Sequence, residues 1–579
     1  MNKQGNVHDI RDTSTTFPGL VAAEVAESEG LLESQGMKST YGGVGSSSND
    51  SNDDSNDEVT SDKRYAVPQS QLYVLVGTIF VGAFLAALDG TVVTTLLSVI
   101  ASDLNALSKV SWVATAYLLS CSAFQPLFGK LSDIFGRKSL LIMCGCFFAV
   151  GCFISLFKSL VSLVAGRFIT GIGGAGLTTL GTISLSDLVP LRERGLYQGL
   201  VNIFFCLGAT SGGLIGGIIN DNLGWQYVFI LQIPLAVFVA LNFWRNLNLP
   251  AGSPGLGLHG KDIWEKLKRV DFLGSFLLVS GLICIIIAAA LGGHEIDYAS
   301  FTFAGLCLLS LIFIGWFIWV EARVADEPIL PIHLMKNRTV ISASLGNWFY
   351  SMSMYTLLYY MPIFFTAVLR LSPTENGLRL APNFLGISFG SVISGLYMKR
   401  TGKYYYYNAI VGFVGLLGAI IILSVKSTIP VLAQYFIILP NGFSYSSILT
   451  VTLLALIAGV PVKYQASTTS IQYTFRSTGS TLGVSIASAI FLYIFNDSLK
   501  TEVPKKISDP QLAHHVIKEA LKSSKYLDEA PKFIQTTLVH CYYLACKAAF
   551  GFALVSIALG FLSLLFIKEH VLHNTIERD

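Results

Sequence analysis

The stretch Gly129-Lys-Leu-Ser-Asp-Ile-Phe-Gly-Arg-Lys138 joins two long apolar runs and has the chemistry of a tight turn at a membrane surface. Gly129 and Gly136 allow helices to approach closely, because glycine has no side chain to keep them apart. Asp133 can accept hydrogen bonds from neighbouring helix ends, and Arg137 and Lys138 would anchor the turn to the inner surface. A positively charged loop without further role is the alternative, but it would not require this spacing.

The composition of the whole chain agrees with a membrane protein. The chain has 579 residues, of which 52% are hydrophobic and only 13% are charged. Soluble domains carry about a quarter charged residues, so the composition excludes a soluble protein. One membrane-spanning helix needs ~20 apolar residues, and the roughly 300 hydrophobic residues suffice for ~14 such helices. We therefore predict an all-α integral membrane protein.

Apolar runs at regular spacing predict fourteen transmembrane helices. Basic residues concentrate in alternate loops, and the positive-inside rule places those loops and both termini in the cytosol. A long outer loop is predicted at 495–546, with Asn496 as a candidate glycosylation site. The predicted spans are 72–100, 109–129, 140–158, 161–185, 197–219, 226–244, 271–292, 302–321, 340–368, 376–398, 406–425, 430–458, 467–494 and 547–567.

The N-terminal segment 1–68 differs in composition from the rest of the chain. It holds 5 Lys and Arg against 12 Asp and Glu, a net charge of −7, whereas the remainder holds 34 against 24, a net charge of +10. Rich in Ser, Asn, Asp and Gly, it cannot bury enough apolar surface to order itself, so we predict a disordered cytosolic tail. Leu31 and Leu32, after an acidic stretch, resemble a dileucine signal for a sorting adaptor; a chance match is the alternative.

Asp89 lies inside the first predicted span and Arg167 inside the fourth, where charges are costly. Counted from the outer ends of their spans, their depths differ by less than ~10 Å at ~1.5 Å per helical residue. An arginine side chain can reach over that difference. We interpret them as a switchable pair, in which protonation of Asp89 would release Arg167 and change the favoured conformation. A static ion pair, or a cap by Asp89 on a broken turn at Gly90, is the alternative.

Small residues and isolated polar residues mark further candidate contacts. In the fifth span Gly208, Gly212, Gly216 and Gly217 would let helices pack closely and move against each other. Six polar residues could either face a substrate cavity or form interhelical hydrogen bonds, and the pattern does not separate the two. These residues are Gln232, Asn347, Asn383, Asn441, Gln472 and Arg476.

Motifs for ATP use, catalysis and metal binding do not occur in the sequence. It has no GxxxxGK[ST] loop, which excludes ATP as the direct energy source, and no HExxH motif. The nine cysteines have neither metal-binding nor disulfide spacing. The basic residues are dispersed over short loops, so nucleic-acid binding is not implied. We expect a protein that is not an enzyme and has no cofactor or metal, with a small-molecule substrate, protons and the bilayer as partners.

The quoted motifs resemble those of the major facilitator superfamily, in particular its branch of fourteen-span drug:proton antiporters. Residues 129–138 match the superfamily's loop signature. AGRFITGIGGAG at 165–176 matches the motif whose arginine is held to take part in proton transfer, a role that maps onto Arg167. GATSGGLIGG at 208–217 resembles the antiporter motif, although Gly213 stands where that motif usually has proline.

Two further resemblances narrow the comparison within the branch. ALDGTVVTTLLSVIASDL at 87–104 looks like the first-span motif and carries its aspartate onto Asp89. AFQPLFGKLSDIFGRK at 123–138, SDLVPLRERGLYQG at 186–199 and GWQYVFILQIP at 224–234 are similar to the fungal vacuolar basic amino-acid transporters. Multidrug exporters share most of these motifs.

The resemblance implies an architecture and a function. Two six-helix halves, 72–244 and 340–567, would enclose a cavity and work by alternating access. Two extra helices at 271–321 would lie between them after a cytosolic linker at 245–270, and 568–579 would form a cytosolic tail. The implied function is a proton-coupled antiporter that moves basic amino acids from the cytosol into the vacuole. The alternatives are a plasma-membrane exporter of drugs or toxic cations and then a non-transporting nutrient sensor.

Overall fold

The computed structural model describes residues 68–104, 111–248, 254–258, 262–292, 296–298, 300–325, 327–371, 373–507, 509–522 and 526–572. The predicted tail at 1–68, apart from Pro68, and Leu31 and Leu32 within it lie outside these residues. The helices, in chain order, are α1 Gln69–Asp103, α2 Ser111–Phe135, α3 Arg137–Ile154, α4 Leu160–Leu188, α5 Leu191–Asn222, α6 Gln226–Asn246, α7 Ile263–Lys268, α8 Phe272–Leu291, α9 Phe301–Arg323, α10 Ile332–Met335, α11 Arg338–Ile363, α12 Pro373–Thr401, α13 Tyr405–Leu423, α14 Val431–Phe436, α15 Leu439–Ala458, α16 Gln465–Glu502, α17 Pro510–Lys522, α18 Tyr526–Glu529 and α19 Lys532–Leu564.

Within the described residues, 12 helices are long and apolar enough to cross a membrane. Helices α2 and α11 have 25 and 26 residues but fall outside that group. Helix α11 shows why, because its buried face carries Ser344, Asn347 and Ser351. Polar residues on a face that meets other helices lower the hydropathy without exposing polar groups to lipid. The all-helical prediction is confirmed, whereas the count of fourteen spans stays a prediction.

The segment predicted as an outer loop at 495–546 contains helical residues at both of its ends and in its middle, and its position outside the membrane stays a prediction. Helix α16 continues to Glu502 and α19 begins at Lys532, so only the segment between them connects the two helices. Asn496 therefore lies within a helix and not in a loop. Hydropathy detects where a helix leaves the apolar layer, but a helix can continue past that point with polar residues on its surface.

The amphipathic segment between α16 and α19 shares a hydrophobic core with these two helices. Helix α17 buries Ala513, Val516 and Ala520 in the same hydrophobic core as Phe495 of α16 and Leu538 of α19. His514, His515 and Lys518, which lie between these apolar positions, are exposed. The spacing of three and four residues explains the helix, because it places the apolar side chains on one face.

The helices form two groups with separate hydrophobic cores. We call α1–α6 the first half and α11–α19 the second half. The extra hairpin α8–α9 has a smaller core that it shares with α2, built from Leu119 and Ala123 of α2 with Leu278 and Leu282 of α8. Helix α8 also contacts α16 of the second half. The hairpin is thus in contact with both halves.

One side of the molecule carries most of the charged turns, and we call it the basic face. It holds the α2–α3 turn and the start of α5, and the C-terminal segment packs there on the second half. His570 bonds Thr339 at 3.0 Å, and the Tyr404 hydroxyl donates to the carbonyl of Lys568 at 2.9 Å. The start of the predicted tail 568–579 is therefore docked, and residues 573–579 lie outside the described residues.

Candidate transport pathway

Asp89 of α1 and Arg167 of α4 form a buried ion pair inside the first half. Arg167 Nη1 donates to Asp89 Oδ2 at 2.5 Å, and the two side chains are 1% and 0% exposed. Arg167 Nε donates to the carbonyl of Val113 at 3.4 Å, and the guanidinium lies 4.4 Å from the ring centre of Tyr117. The structure therefore brings together the two charges that the sequence predicted at similar depth.

The ion pair is enclosed, and its hydrogen bonding is incomplete. Within the described residues, Asp89 Oδ1 has no hydrogen-bond partner, and neither polar atom of the Gln232 amide has one. Gln232 of α6 is fully buried and faces the Asp89 carboxyl. Tyr117 covers the Arg167 side and donates its hydroxyl hydrogen to the carbonyl of Ala86 at 2.8 Å. In this conformation Asp89 can hold a proton on Oδ1, but a substrate between the two halves cannot touch it.

The glycines of α5 bring that helix against α1 beside Asp89. A Cβ atom at Gly208 would overlap the carbonyl of Phe84, and one at Gly212 would overlap the side chain of Thr91. Gly216 is also buried, whereas a Cβ at Gly217 would meet nothing within 4 Å. Three of the four predicted glycines thus lie at buried positions of α5, and Gly217 does not share this environment.

The α2–α3 turn is organised around one buried arginine. Arg137, 2% exposed, donates to Asp133 Oδ1 at 2.7 Å and to Asp187 Oδ2 at 3.1 Å. Asp187 lies in the last turn of α4, fifty positions along the chain, and was not among the residues predicted from the sequence. The sequence feature that could have indicated Asp187 is its position just before the charged turn at 190–194. The arginine therefore ties three helix ends together at the basic face.

The linker after α6 packs directly on this turn. Gly136 has a φ of +90° and Gly257 a φ of +70°, a backbone region that side chains with a Cβ rarely adopt. A Cβ at Gly136 would lie 2.8 Å from the carbonyl oxygen of Leu256. Lys138 donates to Asn248 Oδ1 at 2.8 Å. The predicted linker is thus attached to the turn through backbone contacts that only glycine allows.

Near the basic face the two halves meet through small residues. A Cβ at Gly129 of α2 would lie 2.7 Å from the carbonyl oxygen of Ala466 of α16. A Cβ at Gly395 of α12 would lie 2.5 Å from the carbonyl oxygen of Gly195 of α5. One turn deeper, Gly199 approaches the backbone of Ser391 in the same way. Such backbone contact leaves no passage between α5 and α12 at this level.

Polar bonds reinforce the same contact between α5 and α12. Asn202 Nδ2 donates to Ser391 Oγ at 2.7 Å, and the two side chains are 9% and 0% exposed. At the surface Arg192 Nε donates to the carbonyl of Lys399 at 2.6 Å, and Lys399 pairs with Glu193 at 3.3 Å. These hydrogen bonds and this ion pair between the halves lie on the side of the basic face.

A narrow cleft between the halves lies next to this closed region, farther from the basic face. Its volume is about 10 Å³, which holds about one water molecule. Arg476 of α16 lies in it with its guanidinium 5.5 Å from the ring centre of Phe205 on α5 and 5.8 Å from that of Tyr473. The residues that line the cleft are Gln198, Asn202, Leu449, Leu453, Gln472, Tyr473 and Arg476.

Of the six polar candidates, only Gln472 and Arg476 line the cleft. Asn347 donates to the carbonyl of Gln472 at 3.1 Å, and Asn441 donates to that of Gly415 at 3.2 Å, so both connect helices of the second half. Asn383 is buried against Gly442 on the neighbouring helix. Gln232 belongs to the Asp89 environment. Gln198 and Asn202 were not predicted from the sequence. They follow the charged residues 192–194 at the start of α5.

A family model described as Major Facilitator Superfamily matches residues 79–484. The chain belongs to the major facilitator superfamily. It is therefore a multi-pass membrane transporter, and the prediction of the superfamily from its loop and span motifs is confirmed. The match covers the Asp89–Arg167 pair, the α2–α3 turn and the cleft around Arg476.

Similar proteins of this superfamily include transporters of two kinds. The multidrug resistance protein fnx1 of Schizosaccharomyces pombe is 34% identical over 513 residues, which are 88% of this chain and 94% of that protein. The vacuolar membrane amino acid uptake transporter fnx2 of the same yeast is 34% identical over 494 residues, 85% of this chain and 83% of that protein. An efflux pump of Gibberella fujikuroi, FUS6, is 28% identical over 526 residues.

Solved structures of the superfamily share the fold at low sequence identity. The human organic anion transporter MFSD10 aligns with a TM-score of 0.55 over 86% of this chain and 100% of its own, at 14% identity. The proton:xylose symporter XylE aligns with a TM-score of 0.54 over 87% of this chain and 98% of its own, also at 14% identity. At this identity the likeness supports the major facilitator fold and nothing about the substrate.

Proposed function

We propose that the chain is a fourteen-span, proton-coupled antiporter that moves basic amino acids from the cytosol into the vacuole. The observation that supports coupling to protons is the enclosed Asp89–Arg167 pair. One oxygen of its carboxylate has no hydrogen-bond partner in the described residues. Similarity to a vacuolar membrane amino acid uptake transporter supports the substrate class and the membrane. The acidic lumen of a vacuole would supply the protons.

The arrangement of charges supports an orientation. The positive-inside rule would place the basic face and both termini in the cytosol. The contacts of Gly195 with Gly395 and of Asn202 with Ser391 would then close the cytosolic side. The state described here would accordingly be the one that releases substrate to the lumen and receives protons from it.

A chain of contacts links the proton site to the closed face. Protonation of Asp89 would remove the charge that holds Arg167 and weaken their bond. Helix α1, which carries Asp89, contacts α5 at Gly208 and Gly212, and α5 in turn closes the basic face at Gly195 and Gly199. A shift of α1 relative to α4 would therefore act on the helix that separates the cleft from the cytosol. Coupling requires that binding of the proton changes the relative stability of the two states.

Uptake by vacuole vesicles tests the proposal. Labelled lysine, arginine and histidine would be supplied with ATP, with and without an uncoupler, to vesicles that contain or lack the protein. We expect uncoupler-sensitive uptake that needs the protein, and its loss in Asp89→Asn. Asp103→Asn, at the exposed end of the same helix, should keep most of the uptake. Wild-type uptake by Asp89→Asn, in vesicles that contain it, contradicts the role of Asp89.

A plasma-membrane exporter of drugs or toxic cations is the second candidate, because the multidrug resistance relative is similar over almost its whole length. A fluorescent tag separates the two by showing the vacuolar rim or the cell periphery. Leu31→Ala with Leu32→Ala should move a vacuolar protein to another membrane if the tail contains an adaptor signal. An unchanged location of that variant removes the adaptor from the proposal.

A further inference from the structure

Arg476 is a charged group in the middle of the molecule that the proton site does not use. It lies eleven residues into α16, ~16 Å from the start of the helix at ~1.5 Å per residue. Among the residues that the structure describes, no carboxylate forms an ion pair with it. Its neighbours are the aromatic faces of Phe205 and Tyr473 and the hydroxyls of Tyr355 and Tyr445.

An arginine at this depth without an anion is unfavourable. Charges inside membrane proteins usually pair with one another or face a cavity, and Arg167 in the same chain does so with Asp89. Aromatic faces attract a guanidinium, but they do not neutralise its charge as a paired carboxylate does. Arg476 lines the cleft between the two halves. A ligand that supplied a carboxylate there would complete the pair.

We propose that Arg476 binds the carboxylate of the transported substrate, and that the proton-site carboxyl of Asp89 does not contact the substrate. This inference rests on the proposed function for its choice of amino acids, but its geometry concerns any carboxylate. Guanidinium and carboxylate form two parallel hydrogen bonds, which gives the contact a fixed direction. The rest of an amino acid would then lie in the same cleft, beside Gln198 and Tyr473.

The cleft also has the amides that would orient such a ligand. Gln472 donates to Thr452 Oγ1 and to the carbonyl of Leu449, so its side chain is fixed. Gln198 Nε2 donates to Asn202 Oδ1 at 3.4 Å, while Gln198 Oε1 is buried without a partner in the described residues. That oxygen is an acceptor available to an ammonium group. Acceptor and guanidinium lie on α5 and α16, so the ligand would bridge the two halves.

The test compares amino acids with the same molecules lacking the carboxylate. Thermal unfolding of the purified full-length protein would be measured with lysine, arginine and histidine and with cadaverine, agmatine and histamine. We expect the amino acids to raise the Tm and the amines to raise it far less. Arg476→Gln should weaken amino-acid binding roughly 10- to 100-fold, the range for a lost charged hydrogen bond, and abolish the difference between acid and amine.

Two further variants control for folding. Arg476→Lys keeps the charge without the paired hydrogen bonds, so it should bind more weakly yet still prefer the carboxylate. Arg338→Gln removes an arginine that stacks on Phe566 at 5.4 Å outside the cleft, and it should bind as the wild type does. Equal stabilisation by acids and amines in the wild type, or a preference for carboxylates that survives in Arg476→Gln, overturns the inference.

The same panel separates this inference from the proposed function. If amino acids do not bind but acetate, citrate or another simple carboxylate does so through Arg476, the amino-acid function fails and the carboxylate site stands. If vesicles take up amino acids normally with Arg476→Gln, the function stands and the carboxylate site fails. If none of the twenty amino acids or simple carboxylates stabilises the wild type, the carboxylate site is overturned.

Discussion

At the scale of single residues, the Asp89–Arg167 pair shows how burial makes two charges depend on each other. Both side chains are enclosed, so removal of either one leaves the other without compensation. Breaking a buried ion pair from one side costs about 3–5 kcal/mol of stability, whereas replacing both partners is often much less costly. Stability and transport should therefore respond differently to single and double substitution.

We predict that Arg167→Gln lowers the thermal stability of the purified protein strongly, because Asp89 then has no cation beside it. The double variant Asp89→Asn with Arg167→Gln should recover most of that stability but remain without proton-driven uptake. Thermal unfolding of the purified variants in detergent measures the loss and recovery of stability, and vesicle uptake measures transport. A double variant as unstable as Arg167→Gln would mean that the arginine acts through its other contacts, with Val113 and Tyr117.

Individual residues also mark the limit of sequence analysis. Asp89 and Arg167 were recognisable because a charge in an apolar run is conspicuous, and helix geometry was enough to estimate their depths. The polar candidates were not separable in the same way. Asn347 and Gln472 are both uncharged amides inside predicted spans, yet Asn347 bonds a neighbouring helix away from the cleft whereas Gln472 lines the cleft. Which face a polar residue presents depends on helix rotation, which hydropathy does not contain.

At the scale of elements, α1 and α5 pack through backbone contact beside Asp89, the proposed proton site. Gly212 approaches Thr91 so closely that no side chain fits, whereas Gly217, five positions along the same helix, faces open space. The two positions form a matched pair, because the substitution and its effect on helix propensity are the same in both. Only the contact with α1 differs.

Gly212→Val should destabilise the protein by about 1–3 kcal/mol through overpacking and reduce uptake, while Gly217→Val should leave both close to wild type. Expression, thermal unfolding and vesicle uptake of the two variants provide the measurement. If Gly212→Val transports like Gly217→Val, close packing of α1 on α5 is not required for movement. The buried glycines of α5 would then serve packing alone.

Elements also show which parts of the fold could be read from the chain. The α2–α3 turn was predicted from its glycines and charges, but its third partner, Asp187, was not, because that contact joins positions fifty residues apart. The predicted spans correspond to helices, but α16 and α19 extend far past the predicted bounds. Their extra turns pack on α17 and on each other, and such tertiary stabilisation leaves no apolar run in the sequence.

At the scale of the whole molecule, the contacts between the halves define a state that is closed at the basic face. Alternating access requires that these contacts open during each cycle, so a covalent bond across them should stop transport. Lys399 of the second half and Glu193 of the first half offer a suitable pair, because their charged groups are 3.3 Å apart and their side chains are 43% and 40% exposed.

We predict that Glu193→Cys with Lys399→Cys, joined by a short reducible thiol cross-linker, loses uptake and regains it after reduction. Glu502→Cys with Lys505→Cys is the matched control, because that ion pair of 2.7 Å lies within the second half. The control should cross-link without loss of uptake, which also shows that the nine native cysteines do not dominate the reaction. Undiminished uptake by the cross-linked Glu193–Lys399 variant would mean that the halves do not separate at α5 and α12. The passage from the cleft to the cytosol would then have to open elsewhere, and Gly129 against Ala466 of α16 is the other backbone contact that would have to give way.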